Sequence, residues 1–366
     1  MAVGATLAAP AFWLALRERT PDRSAAPLDP IRTPPTGYAW TQPPEPAFPV
    51  PPYARYLNGV RIVLDPGHGG RADWGHWKRG PTGLQEAEVN LRVAQFLRDF
   101  LQAVDADVIL TREADEYLDP DLAVDNRKRI ALANESRADL FISIHHNGAD
   151  KPETNYTAIF YRGEGEWSAA SRCAARHVLA GLNDALRLEQ HLPCALLSDE
   201  LLHNNGLLVL REARVPAILA EASFHSNPAE EVRLRDPVYN RREAYGYFVG
   251  LARWAQAGLP RVGLASPPDG RVRAGQTVMI ALDDGLCARG GWGADRLRLA
   301  PDSLIVRLND RPVDFVPDYK SGRLKVTLPN RLPEGRLRLF VDFQNVFGQH
   351  VLHPLIELNP GAKLSP

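Results

Sequence analysis

The chain has 366 residues, 45% of them hydrophobic, which is enough for two domains with cores of their own. Its 43 basic and 44 acidic residues are spread along the chain and leave a net charge of −1. That balance excludes the basic footprint of a nucleic-acid binder and an acidic tail, so no nucleic-acid partner is expected.

Residues 1–16 form an uncharged run that is too short to span a bilayer comfortably as a helix. They read as a signal h-region or a short membrane anchor, although no basic n-region precedes them and no clear small-x-small cleavage site follows before Arg17. From 17 to 57 proline and polar residues dominate, with pairs at Pro34-Pro35, Pro43-Pro44 and Pro51-Pro52. Such a stretch is expected to be an extended spacer.

Strand and helix signals alternate over 58–258, an α/β pattern. Strands are predicted at Arg61–Leu64, Asp107–Leu110, Leu140–Ile144, Thr157–Tyr161, Gly206–Leu210 and Ala217–Ala220. Helices are predicted at Leu84–Phe100, Leu122–Ala133, Trp167–Leu186 and Asp236–Ala257. The run Leu140–Ile144 is continuously apolar, as strands buried on both faces are.

Residues 258–270, with Pro260, Pro267 and Pro268, read as a second boundary. Beyond it, over 262–360, the helical period vanishes and short alternating runs at 277–282, 304–308, 313–316, 324–328, 337–343 and 351–358 are separated by turn residues. A small all-β sandwich of immunoglobulin-like type is expected. Cys173, Cys194 and Cys287 have no C-x-x-C spacing, so they form neither a zinc knuckle nor a redox pair by pattern; pairing of Cys173 with Cys194 stays open.

In open α/β sheets the ligand site lies beyond the carboxyl ends of the strands. That rule selects His68 after the first strand, His145 and His146 after Leu140–Ile144, Glu221 after Ala217–Ala220, and Glu86 at the start of the first helix. Two imidazoles and a carboxylate are a familiar zinc set that leaves one position for water, with Glu221 as the base. Gly67, Gly69 and Gly70 let the backbone approach the metal closely. A phosphate-cradling turn is the rival for D-P-G-H-G-G, but the P-loop spacing and its Lys-Ser/Thr ending are missing.

The ordered stretches I-V-L-D-P-G-H-G-G, L-Q-E-A-E-V-N-L, L-F-I-S-I-H-H-N and A-I-L-A-E-A-S-F-H-S-N-P-A-E-E resemble the zinc-dependent N-acetylmuramoyl-L-alanine amidases of type 3. L-T-R at Leu110–Arg112, N-R-K-R-I-A-L-A-N at Asn126–Asn134 and G-L-L-V-L-R at Gly206–Arg211 extend the likeness over about 59–257. The resemblance implies an open mixed sheet flanked by helices, one Zn2+ per domain, and hydrolysis of the amide between N-acetylmuramic acid and L-alanine in peptidoglycan. It implies His68, Glu86 and His145 as ligands and Glu221 as the catalytic glutamate, with Glu88 facing solvent. The place implied is the periplasm or cell envelope, with peptidoglycan as partner, an envelope protein met through the C-terminal domain, and N-terminal anchoring.

The chain departs from the family at His146, His225 and the loop 71–82. His146, His225 and Asn147 are candidates for contacts behind the metal or with substrate, exposed loop histidines being the blander reading. Trp74 and Trp77 are candidates for stacking on a sugar, His76 is a spare ligand, and Arg211 a donor to the oxyanion. The stretch Leu186–Gly206 is too short for the helical insertion that covers the metal in some members, so an open site is expected. Two rivals stand: a zinc hydrolase of another peptide or N-acyl amide, and a non-catalytic wall-binding protein.

Overall fold

The computed structural model describes residues 48–70, 78–202, 204–286, 289, 295–300 and 302–361. These form two units that divide between Gln256 and Ala257. In the first, the elements run β1 (Arg61–Pro66), α1 (Glu86–Gln102), β2 (Asp107–Leu110), α2 (Leu122–Ser136), β3 (Leu140–Asn147), β4 (Ala158–Tyr161), α3 (Ser168–Leu186), β5 (Leu196–Ser198), α4 (Leu208–Arg211), β6 (Ala217–Phe224), α5 (Pro228–Leu234) and α6 (Pro237–Gln256).

The strands make one six-stranded sheet in the order β2-β1-β3-β6-β4-β5. β2, β1, β3 and β6 run parallel; β4 lies antiparallel to β6 and parallel to β5, so the sheet is mixed. Helices α2 and α4 pack on one face and α1, α3 and α6 on the other. Alternate strand residues therefore enter different cores. Val63, Phe141 and Leu219 meet Ile130, Ala133 and Val209 on the α2 side. On the opposite side lie Phe100, Tyr247, Phe248 and Leu251, each fully buried. A side chain of that size contributes about 1.5–3 kcal/mol when fully withdrawn from water.

Local chemistry sets the helix ends. Asp121 Oδ1 accepts from the amides of Ala123 and Val124 at 2.9 Å each, which starts α2. Asn227 caps α5 in the same way, with Pro228 in its first turn. Where α3 crosses α6, a Cβ on Gly181 would collide with the Gly246 carbonyl, so this close approach requires glycine.

Several expectations change. The apolar run Leu140–Ile144 marks only part of β3, which continues to Asn147, and β6 continues to Phe224. Their polar ends stay in the ladder because His145 pairs in register with Glu221. The expected strand at Gly206–Leu210 is the turn of helix α4 instead: Asp199 Oδ2 accepts from the Leu207 amide at 2.8 Å and the Leu207 carbonyl takes the Arg211 amide at 2.8 Å. The last part of the expected spacer is folded, with Phe48 buried against Phe100 and Tyr245 and Pro52–Leu57 forming a 3-10 turn on α6.

The second unit holds β7 (Arg261–Ser266), β8 (Arg271–Val272), β9 (Thr277–Asp283), β10 (Ile305–Leu308), β11 (Arg311–Pro312), β12 (Asp314–Asp318), β13 (Arg323–Thr327), β14 (Leu337–Asp342) and β15 (Leu355–Pro360). They form a five-stranded sheet, β11-β10-β14-β15-β8, and a four-stranded one, β12-β13-β9-β7. Both sheets contribute to one core, Val278, Ile280, Leu324 and Val326 from one and Val306, Leu339, Val341 and Leu358 from the other. β7 lies inside the stretch 258–270 read as a boundary, with Pro260 before it and Pro267 and Pro268 after it, and it is an edge strand paired with β9. Cys173 and Cys194 are not joined in a disulfide, and Cys287 lies outside the described residues.

Candidate metal centre

β1 ends by delivering Pro66-Gly67-His68 into a tight turn in which His68 itself takes a left-handed φ of 61°. The Gly67 amide donates to the Ile144 carbonyl of β3 at 3.0 Å, and a Cβ on Gly67 would strike the His145 ring. The turn is braced from below by buried charge. Asp65, 1% exposed, accepts from Thr111 Oγ1 at 2.7 Å, Ser143 Oγ at 2.6 Å and Arg129 Nη1 at 2.9 Å. Burial alone would raise its carboxyl, but the Arg129 charge and the two hydroxyls outweigh this and hold it below the usual range. Arg129 also donates to the His68 carbonyl at 2.7 Å and pairs with Asp125 at 2.7 Å.

Glu86 stands in the first turn of α1, 4% exposed. Its Oε2 lies 3.0 Å from His68 Nε2 and its Oε1 3.0 Å from His145 Nδ1. Oε1 also accepts from the His146 amide at 3.2 Å and from Asn90 Nδ2 at 3.4 Å. Burial works against the carboxylate, yet the two imidazoles outweigh it and hold Glu86 well below the ordinary range. The rings of His68 and His145 stand nearly perpendicular, with centroids 4.7 Å apart. Ligand atoms of His68, Glu86 and His145 all lie within 4.8 Å of one another, and two imidazole nitrogens with a carboxylate oxygen are a donor set that fits a divalent transition ion. Glu88 faces solvent and takes Arg92 Nη1 at 2.7 Å.

Glu221, on β6 opposite His145, lines the same cavity of about 930 Å³ as the three residues above. Its Oε2 is buried with no hydrogen-bond partner among the described residues. Burial pushes its carboxyl up to about 7, with Glu86 adding to the rise and His145 and His146 opposing it.

His146 is not an exposed loop residue: it lies on β3 at 1% exposure, with Nδ1 2.8 Å from Asn90 Oδ1 and Nε2 3.0 Å from Glu243 Oε2. Because the strand continues past Ile144, alternation turns its ring to the α1 and α6 side while His145 faces the cavity. His225, likewise 1% exposed, follows β6 and places Nε2 3.9 Å from Glu86 Oε2. Asn147 lies on the cavity wall and accepts the His225 amide through its carbonyl at 2.9 Å. Arg211 stands apart from the site. As the last residue of α4 it donates to the Asn205 carbonyl at 3.0 Å and lines a separate cavity with Arg162 and Trp167. Helix rather than strand geometry turns it there. Trp74, Trp77 and His76 lie outside the described residues, as does His203. The rest of Leu186–Gly206 supplies β5, a 3-10 turn and, through Leu202 and Gly206, part of the cavity wall.

Sequence reasoning passed over Asp65, Asn90, Arg129, Glu243 and Lys78, whose Nζ lies 2.8 Å from His68 Nδ1. Asp65 and Arg129 carried a signal, an aspartate ending an apolar strand and an arginine on a later helix, since a buried carboxylate requires a partner. Glu243 among the buried positions of α6 carried another.

Fold and site together define the class: a mixed α/β sheet whose parallel strands, with the first turn of α1, bring two imidazoles and two carboxylates into one cavity at their carboxyl edge. The model of the N-acetylmuramoyl-L-alanine amidase family matches residues 62–253, and the chain belongs to this family of amide hydrolases. The germination-specific N-acetylmuramoyl-L-alanine amidase of Bacillus subtilis (strain 168) is 33% identical over 213 residues, 56% of this chain and 83% of its own length. N-acetylmuramoyl-L-alanine amidase AmiC of Neisseria meningitidis serogroup B is 30% identical over 247 residues, 58% of this chain and 57% of the relative. Among solved structures, the catalytic domain of the amidase CwlV from Bacillus (Paenibacillus) polymyxa var. colistinus aligns at 25% identity, covering 54% of this chain and 97% of that one, with a TM-score of 0.45.

Proposed function

We propose that the chain is a zinc-dependent amidase that hydrolyses the bond between the lactyl group of N-acetylmuramic acid and the L-alanine of the peptidoglycan stem. The supporting observation is the convergence of His68, Glu86 and His145 within 4.8 Å in a cavity that also holds Glu221. In this reading those three residues hold one Zn2+, which when bound polarises the scissile carbonyl and lowers the pKa of water to about 7. Glu221 does the proton work. Its free Oε2 takes the proton of the attacking water and then delivers it to the alanine nitrogen as the C–N bond breaks. His225 and Asn147 shape the wall beside Glu86, and His146, through Asn90, fixes the carboxylate from behind.

The organisation that goes with this activity is an exported enzyme of the cell envelope. Residues 1–16 are its signal or anchor, 58–258 the catalytic domain on a proline-rich spacer, and 262–360 an immunoglobulin-like sandwich that positions it on the wall or on an envelope partner. Purified sacculi incubated with the chain give the test by mass spectrometry. Intact stem peptides with free L-alanine amino ends, abolished by a chelator, are expected; cleavage within the stem, or none, would refute the assignment.

A further inference from the structure

One buried guanidinium joins the two chain segments that carry His68 and Glu86. Arg112, 2% exposed, follows β2 and sends its Nη2 to the Gly67 carbonyl at 3.1 Å and to the Ala87 carbonyl at 2.7 Å. Gly67 adjoins His68, and Ala87 adjoins Glu86. Its Nε donates to the Pro66 carbonyl at 2.8 Å, and Nη1 to the Ala114 carbonyl at 2.9 Å. These hydrogen bonds all end on backbone, whereas the neighbouring Arg129 pairs directly with the carboxylates of Asp65 and Asp125. A cation withdrawn from water without a directly bonded acid is costly, and its donors are spent on the spacing between two segments.

That spacing is what a metal reads. His68 arrives on a left-handed turn after β1 and Glu86 on the first turn of α1, 18 positions further along the chain. Arg112 Nη2 ties Gly67 to Ala87 through two bonds from one nitrogen, and Asn90 adds a second tie, from Nδ2 to the Gly67 carbonyl at 3.2 Å. A lysine at the same place would offer one point charge on a flexible stem in place of four N–H donors held on one rigid guanidinium.

We propose that Arg112 is a positioning residue that sets the separation of His68 and Glu86, and that this role requires the guanidinium fork rather than positive charge alone. It rests on the reading of His68, Glu86 and His145 as the metal-holding set. Groups that orient ligands from behind typically change metal affinity by about 10–100-fold when replaced.

The test is a titration of the metal-free full chain with Co2+, read by visible absorption, for wild type, Arg112→Lys and Arg112→Gln. Both variants are expected to bind Co2+ roughly 10–100-fold more weakly and with a shifted absorption band, while the metal-free proteins keep the wild-type circular dichroism spectrum. Binding by Arg112→Lys within about twofold of wild type, with an unchanged band, would overturn the proposal, because charge alone would then suffice. Failure of both variants to fold without metal would also overturn it, since Arg112 would then serve the fold and not the spacing. Wild type that binds no Co2+ would instead remove the metal reading itself.

Discussion

Around His68 the chain buries charge, and in the second unit it buries hydrocarbon. Asp65, Arg112, Asp125 and Arg129 are each 1–2% exposed beneath the turn, tied to one another or to its carbonyls by directional bonds. The core of the second unit is filled by Val278, Ile280, Leu324, Leu339 and Val341, whose packing has no preferred direction. The first arrangement fixes atoms to within a bond's tolerance and leaves an uncompensated charge when one member is lost. The second fixes volume and tolerates displacement. A site that must hold three donor atoms at set distances needs the former kind of support.

Arg129→Met gives the largest expected effect on stability. It leaves Asp65 and Asp125 buried without their cation and is expected to cost about 3–5 kcal/mol in urea denaturation of the first unit. A loss below about 1 kcal/mol would mean that the charges beneath the turn are not coupled as described. Leu324→Ala, at a fully buried position of β13, is expected to cost about 2–5 kcal/mol with no change in Co2+ binding. A parallel loss of metal binding would break the distinction between the two regions.

The smallest expected effect concerns a histidine whose protonation the fold opposes. On α3, burial together with the charges of Arg176 and Arg253 pulls His177 down to about 4. It is neutral in the fold, whereas the unfolded chain takes up a proton below about 6.5. Stability is therefore complete above pH 6.5 and declines as pH falls toward 4, with no further loss from this group below that. Replacing it, as in His177→Gln, is expected to flatten the fall in urea midpoint between about pH 6.5 and 4.5; an unchanged slope would show that other groups carry it.

The two regions also differ in how far their sequence reveals them. Alternation in Arg323-Leu324-Lys325-Val326-Thr327 states β13 outright, because the solvated and buried faces follow the two-residue period. The ends of β3 and β6 were missed: His145, Asn147 and Glu221 are polar, so the apolar signal stops while the hydrogen-bond ladder goes on. The residues of α4 suit a strand or a helical turn equally, being four to five apolar positions, and the Asp199 carboxylate that holds the Leu207 amide just before the turn comes from eight residues upstream. β7 was hidden by the prolines around it. At the site, chain order and strand ends were enough to select His68, Glu86, His145 and Glu221 as candidates. The residues that brace them, Asp65, Asn90, Arg112, Arg129 and Glu243, act through contacts distant in sequence, such as Arg129 to Asp65, and no local period encodes those.

The central claim, that three residues hold the metal and a fourth moves the proton, is tested most directly by Glu221→Ala. Metal content and turnover of muramoyl-alanine bonds are to be measured on the same purified protein. The account predicts one zinc per chain, as in wild type, with turnover lowered about 10²–10⁴-fold. Near-normal turnover, or loss of the metal along with the activity, would contradict it.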